Sequence, residues 1–169
     1  MSHRQSFLKN LWLSANTLRL CMNLWPPFVG AGIHVLRISP DYREVRVRMR
    51  LRWFNRNYVG THFGGSLFAM TDPFYMLMLM HNLGRDYIVW DKASNIRYRA
   101  PGRHTVYAEF RLTEEQIAAV RARIEGGDSY EPTLAVDVVD HGGRIIATVE
   151  KTLFIRRAPA AAESSKLAG

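Results

Sequence analysis

One ionisable carboxylate, Asp72, lies within a stretch from Ser66 to Met80 that is apolar around nearly the whole helical circumference. A helix of that kind is expected to be enclosed on most sides by other structure. A charge inside it requires a partner or a task, because an uncompensated buried ion is costly, and a carboxylate perturbed in this way is a candidate for acid–base or nucleophilic work. Just ahead of the helix runs a polar loop from Asn57 that ends in Gly64-Gly65. Paired glycines admit backbone shapes closed to other residues and let a ligand or another backbone come close. The two glycines and Asp72 are therefore the first candidates for a site.

The elements that must hold these residues follow from periodicity. Residues 6–24 carry Leu8, Leu11, Trp12, Ala15, Leu18 and Met22 at helical spacing, and Pro26-Pro27 ends that helix. After a turn around Gly30 and Gly32, Ile33 to Ile38 reads as a strand. Val45 to Trp53 alternates without a break, with Val45, Val47, Met49, Leu51 and Trp53 on one face and four arginines, Arg46, Arg48, Arg50 and Arg52, on the other. The central helix should span about 64–82. Tyr87 to Arg99 and Thr105 to Leu112 then suggest a second hairpin across Pro101-Gly102. Thr113 and Gln116 form a capping box that opens a short helix ending at Gly126-Gly127. Leu134 to Val139 and Arg144 to Ile155 make a last hairpin around Asp140-His141-Gly142-Gly143. The class is α+β: one antiparallel sheet curled around a long helix, in a single domain over residues 1–157, with an alanine- and serine-rich disordered tail over 158–169.

Composition narrows the function classes. A single cysteine, Cys21, rules out an internal disulfide, and no Cys/His spacing resembles a structural zinc site, so no metal is expected. The longest apolar run, Phe74 to Met80, is far too short to span a bilayer, and a cytoplasmic protein is expected. A net charge of +8 raises nucleic acid and anionic cofactors as partners. The arginine row is more economically a solvated sheet face balanced by Glu109 and Glu150, and nucleic acid is not expected.

The stretch Asn57, Gly64-Gly65 and Asp72 resembles the central motif of the hotdog-fold acyl-CoA thioesterases of the phenylacetic-acid-degradation type: an asparagine, a short loop, His-Gly-Gly, and an aspartate eight residues beyond the first glycine. One position departs, since Phe63 stands where the motif has histidine and His62 lies one residue earlier. The resemblance implies hydrolysis of an acyl-CoA thioester at a homodimer interface, with pairing of dimers into a tetramer left open. In that scheme the Gly64 and Gly65 amides of one subunit hold the carbonyl oxygen. Asp72 of the other attacks or activates water, and Asn57 orients that water or the carboxylate. His62, Phe63 and Ser66 become substrate-contacting candidates, and Arg97, Arg99 and Arg103 candidates for the phosphates of coenzyme A, which enters only as part of the substrate.

Blander readings stand beside each of these. Asp72 precedes Pro73 and suits the cap of a helix that restarts there, or Pro73 kinks a continuous helix. His62 reads rather as a loop hydrogen-bonder, Asn57 equally as a turn residue, the glycines as packing devices, and the methionines at 70, 76, 78 and 80 rather as core than as an acyl-chain wall. A non-catalytic module that binds an acyl or aromatic ligand, or acts only in assembly, is the alternative function.

Overall fold

The computed structural model describes residues 13–127 and 129–159. Ser14 fixes the start of the first helix, its hydroxyl accepting a hydrogen bond from the Thr17 amide at 3.3 Å, so that α1 runs Ala15–Leu24. Residues 6–12 of the expected helix, and 160–169 of the expected tail, lie outside the described residues. Pro26-Pro27 stops α1 as expected, but Pro26 at once opens α2, Pro26–Ala31, because a proline's fixed φ suits a first helical turn where its missing N–H is no loss. Gly30 falls inside α2, and the turn is made by Gly32 alone, at φ 73°.

Strands β1 (Ile33–Ile38) and β2 (Glu44–Met49) form the expected antiparallel hairpin. β2 ends at Met49, short of the expected Trp53, because Asn55 bends the chain away. The buried Asn55 side chain donates to Ala31 O and Arg50 O at 2.9 and 2.8 Å and accepts from the Arg52 amide at 2.7 Å. Trp53, expected to face inward, is 82% exposed as a result.

The remaining elements are α3 (Gly64–Ala69), α4 (Phe74–Leu83), β3 (Tyr87–Tyr98), β4 (Val106–Arg111), α5 (Glu114–Glu125), β5 (Ser129–Tyr130), β6 (Thr133–Asp140) and β7 (Ile145–Arg157). The sheet has the order β1-β2-β4-β6-β7-β3, with β5 added beside β7, and every pairing is antiparallel. The expected β3–β4 hairpin does not form. β3 pairs with β7 from Tyr87↔Arg157 to Tyr98↔Ala147, while β4 lies between β2 and β6. Length decides this: a 12-residue strand finds backbone partners along a 13-residue neighbour and would leave half its N–H and C=O groups unpaired beside a 6-residue one. The capping box at Thr113 is present, as is the β6–β7 hairpin. The arginine row lies on the solvent side, with Arg46 Nε 2.9 Å from the Glu109 carboxylate opposite it.

The central segment forms not one helix but two, separated by a turn at Met70–Pro73. Pro73 has no N–H to continue the ladder, and Ala69 O is taken instead by the Asp72 amide, at 3.4 Å. α4 is the buried half. Phe74 packs on Phe110 with ring centroids 4.9 Å apart and on Phe28 at 6.2 Å, Met78 and Leu79 are fully covered, and the Tyr75 hydroxyl donates to Ala135 O at 2.7 Å. The inward residues of β2, β4, β6 and β7 complete this core. Among the described residues no helix is long and apolar enough to cross a membrane.

Candidate active site

The helix break determines where Asp72 sits. Between α3 and α4 its side chain reaches the surface and is 52% exposed, so the enclosed carboxylate expected from the apolar sequence is not found in the single chain. Nor does it cap α4: the cap position is Pro73, without a side-chain hydrogen bond. The carboxylate is held from below. Lys151 Nζ donates to Asp72 Oδ1 at 2.8 Å and lies 3.1 Å from Asp91 Oδ2. The Lys151 side chain is 1% exposed, with the Phe68 ring centroid 6.0 Å from its ammonium. Asp72 Oδ2 makes no hydrogen bond among the described residues.

β7 explains the lysine. Its inward residues are Ala147, Val149, Lys151, Leu153 and Ile155, so a cation occupies a core position in phase with four apolar neighbours. Asp91 comes from β3, two residues after the buried Val89 and opposite the inward Leu153, so strand alternation puts it on the same face as Lys151. Burial, chiefly, raises the Asp91 carboxyl above its ordinary value, the nearby Asp72 charge adds to that, and Lys151 opposes it. Neither Lys151 nor Asp91 was marked by motif; the available signal was a lysine in phase with the apolar face of a strand.

The glycine loop is braced from within. Asn57 donates through Nδ2 to Thr61 Oγ1 at 2.9 Å and His62 O at 3.4 Å, and its Oδ1 accepts from the Thr61 amide at 2.9 Å. Both of its amide hydrogens are thus committed inside the loop. His62 is buried behind it, with Nε2–H donated to His104 O at 2.8 Å and its backbone N–H to Gly102 O at 2.9 Å. That bond leaves Nδ1 as an unprotonated acceptor, buried without a hydrogen-bond partner among the described residues. Burial lowers the His62 pKa, only partly offset by the His104 carbonyl, so the ring is neutral near pH 7.

Phe63 precedes α3 and is 57% exposed, and Ser66 is buried in the first turn. A Cβ at Gly64 would stand 2.7 Å from the Tyr98 hydroxyl oxygen, and one at Gly65 2.5 Å from the Phe63 ring. The glycines therefore do serve close packing. Their amides nevertheless remain unpaired among the described residues, because the first bonds of α3 are made by the Ser66 and Leu67 amides to Phe63 O. Arg97, Arg99 and Arg103 are exposed, and none forms an ion pair among the described residues. An open groove of about 610 Å³ lies elsewhere, lined by residues including Arg37, Asp41, Arg43 and Arg111. Among the described residues no three His, Cys, Asp or Glu side chains converge as metal ligands.

The model of a family described as a domain of unknown function, DUF4442, matches residues 14–155. No curated protein matches the sequence. Among solved structures, a protein of unknown function and probable thioesterase from Pseudomonas aeruginosa superposes with a TM-score of 0.73 at 21% identity, covering 85% of this chain and 95% of that one. A thioesterase from Haemophilus influenzae gives 0.62 at 15% identity, covering 88% and 94%. A mutant form of the phenylacetic acid degradation protein PaaI from Thermus thermophilus gives 0.53 at 21% identity, covering 77% and 98%. The shared fold is the hotdog, an antiparallel sheet packed around a central helical segment.

Proposed function

The chain belongs to the DUF4442 family, and from that membership and its hotdog fold we propose that it hydrolyses an acyl-CoA thioester in a site completed by a second copy of itself. The observation that carries the reading is the half-exposed Asp72 carboxylate: fixed through Oδ1 by a buried ammonium, excused from capping, and with Oδ2 making no hydrogen bond among the described residues. Along one chain the Gly64 and Gly65 amides open α3 and Asp72 follows the turn beyond its last residue, Ala69. At about 1.5 Å of rise per helical residue α3 alone is roughly 7.5 Å long, which sets the amides and the carboxylate too far apart for one carbonyl to meet both. An isologous pairing places the amides of each copy opposite the carboxylate of the other, and two sites result. Edge strand β3 is the natural seam for such a pair.

In this site Asp72 Oδ2 takes a proton from water as the resulting hydroxide adds to the thioester carbon. The glycine amides receive the negative charge on oxygen. The C–S bond then breaks, and coenzyme A leaves as a thiolate that takes up the proton held by Asp72. Asn57 contributes by holding the loop in shape, and the exposed arginines offer contacts for the phosphates of coenzyme A. The thioesterases among the structural relatives support the reaction class.

A single experiment tests it: thiol release from a panel of acyl-CoA substrates by the protein and by Asp72→Asn. The variant should fold and lose activity about 100-fold or more, the contribution of a lost general base. Undiminished turnover removes Asp72 from the mechanism. Phe63 in place of the motif histidine, with its ring exposed beside Gly65, favours the second reading, a module that binds an acyl or aromatic ligand without hydrolysis. Binding across the panel with no thiol released would select it.

A further inference from the structure

We propose that Lys151 is a positioning residue that aims the Asp72 carboxylate at the substrate, with Asp91 as the counter-charge that keeps the ammonium in place. This rests on Asp72 serving the thioester as described above. A fully buried lysine is costly to maintain, and a methionine or leucine in phase with Val149 and Leu153 would pack in its stead without that cost. Its bonds return little to stability on the Asp72 side, because a half-exposed carboxylate forms a weak ion pair. What the arrangement does achieve is geometric. The root of Lys151 is clamped in the sheet, its ammonium is steadied by Asp91 at 3.1 Å, and Asp72 Oδ1 is tied to it at 2.8 Å. A half-exposed side chain that would otherwise sample several rotamers is thereby tethered through Oδ1, which leaves Oδ2 without a hydrogen bond among the described residues. Removing the tie leaves every atom of the base present and its direction lost.

Lys151→Met, near in shape and uncharged, should remain folded by circular dichroism and lose kcat about 100-fold, the effect of roughly 1 Å of misplacement, while KM moves less than about threefold. Lys151→Ala should regain part of its kcat when propylammonium ions are added, a recovery that a purely structural role would not show. Crystal structures should find Asp72 in one rotamer in the unaltered protein and in several in Lys151→Met. Full kcat in Lys151→Met beside an inactive Asp72→Asn overturns the proposal, as does a loss confined to KM, or an Asp72 rotamer unchanged without the lysine. If the unaltered protein releases no thiol from any acyl-CoA, the hydrolase reading falls and the rotamer comparison alone decides the positioning role; if Asp72→Asn turns over substrate normally, Asp72 is not the base and the proposal falls with it. If Lys151→Met does not fold, the NMR signal of the Lys151 ammonium decides: a shift in Asp72→Asn supports the tie, and no shift refutes it.

Discussion

Exchanging each of the two carboxylates around Lys151 for its amide separates them energetically. Asp91→Asn and Asp72→Asn preserve shape and remove one charge apiece, but the two side chains are 26% and 52% exposed. Removing one partner of a fully buried ion pair costs about 3–5 kcal/mol because the remaining charge is stranded. Asp91 is only partly buried, Asp72 remains as a second partner, and the new amide oxygen still accepts a hydrogen bond, so about 2 kcal/mol is expected. Asp72 faces water, which screens its pairing, and its amide should cost less than about 1 kcal/mol. For a chain of this length each kcal/mol moves Tm by about 2–4 °C, so Asp91→Asn should melt about 4–8 °C low and Asp72→Asn within about 4 °C of the parent. Urea titrations at pH 7 and one fixed protein concentration measure the same differences without confounding from assembly. A larger loss from Asp72→Asn than from Asp91→Asn, or none from either, would refute the assignment of Asp91 as the principal counter-charge.

Three further outcomes can be measured in the same way. Thr113→Ala removes one half of the capping box of α5 and should cost about 1 kcal/mol in urea, whereas Thr113→Ser should cost much less. His62 is held neutral by burial, so as pH drops below its ordinary value of 6.5 the unfolded chain gains a proton that the folded chain refuses; stability should decline on acidification by up to about 1.4 kcal/mol per pH unit for this ring, and His62→Gln should flatten the decline. Burial pushes the Tyr75 hydroxyl up to about 12, against an ordinary value of 10.0, so between those two values the unfolded chain ionises first and stability should fall as pH rises, a trend absent in Tyr75→Phe.

Much of the fold was legible because period and punctuation agree. β1, β6 and β7 alternate, Thr113 and Gln116 announce α5, and proline and glycine mark the ends of α1 and β3. Strand pairing was less legible, since neighbours in sequence are the default partners and only the lengths of β3 and β7 argue otherwise. The run to Trp53 looked like strand because its alternation continues, and what ends β2 is a side chain, Asn55, whose three bonds reach across to Ala31 and back to Arg50 and Arg52. At the site, motif spacing led to Asp72 and the glycines. It gave no access to Lys151, which lies 79 positions further on and meets Asp72 only through the fold. It also overstated the enclosure of Asp72, because an apolar window conceals the turn that a single proline imposes.

Among the described residues, strand β3 has a neighbour on one side only, and Asp91 sits on that strand. One wall of the ion cluster is consequently the rim of the sheet, and a strand laid along that rim thickens the wall, keeps solvent from the carboxylates and strengthens every attraction among them. If the second copy proposed above supplies that strand, dilution would strip the layer away. Specific activity should then depend on how much enzyme is in the cuvette, with the turning point reporting the strength of the strand-to-strand union.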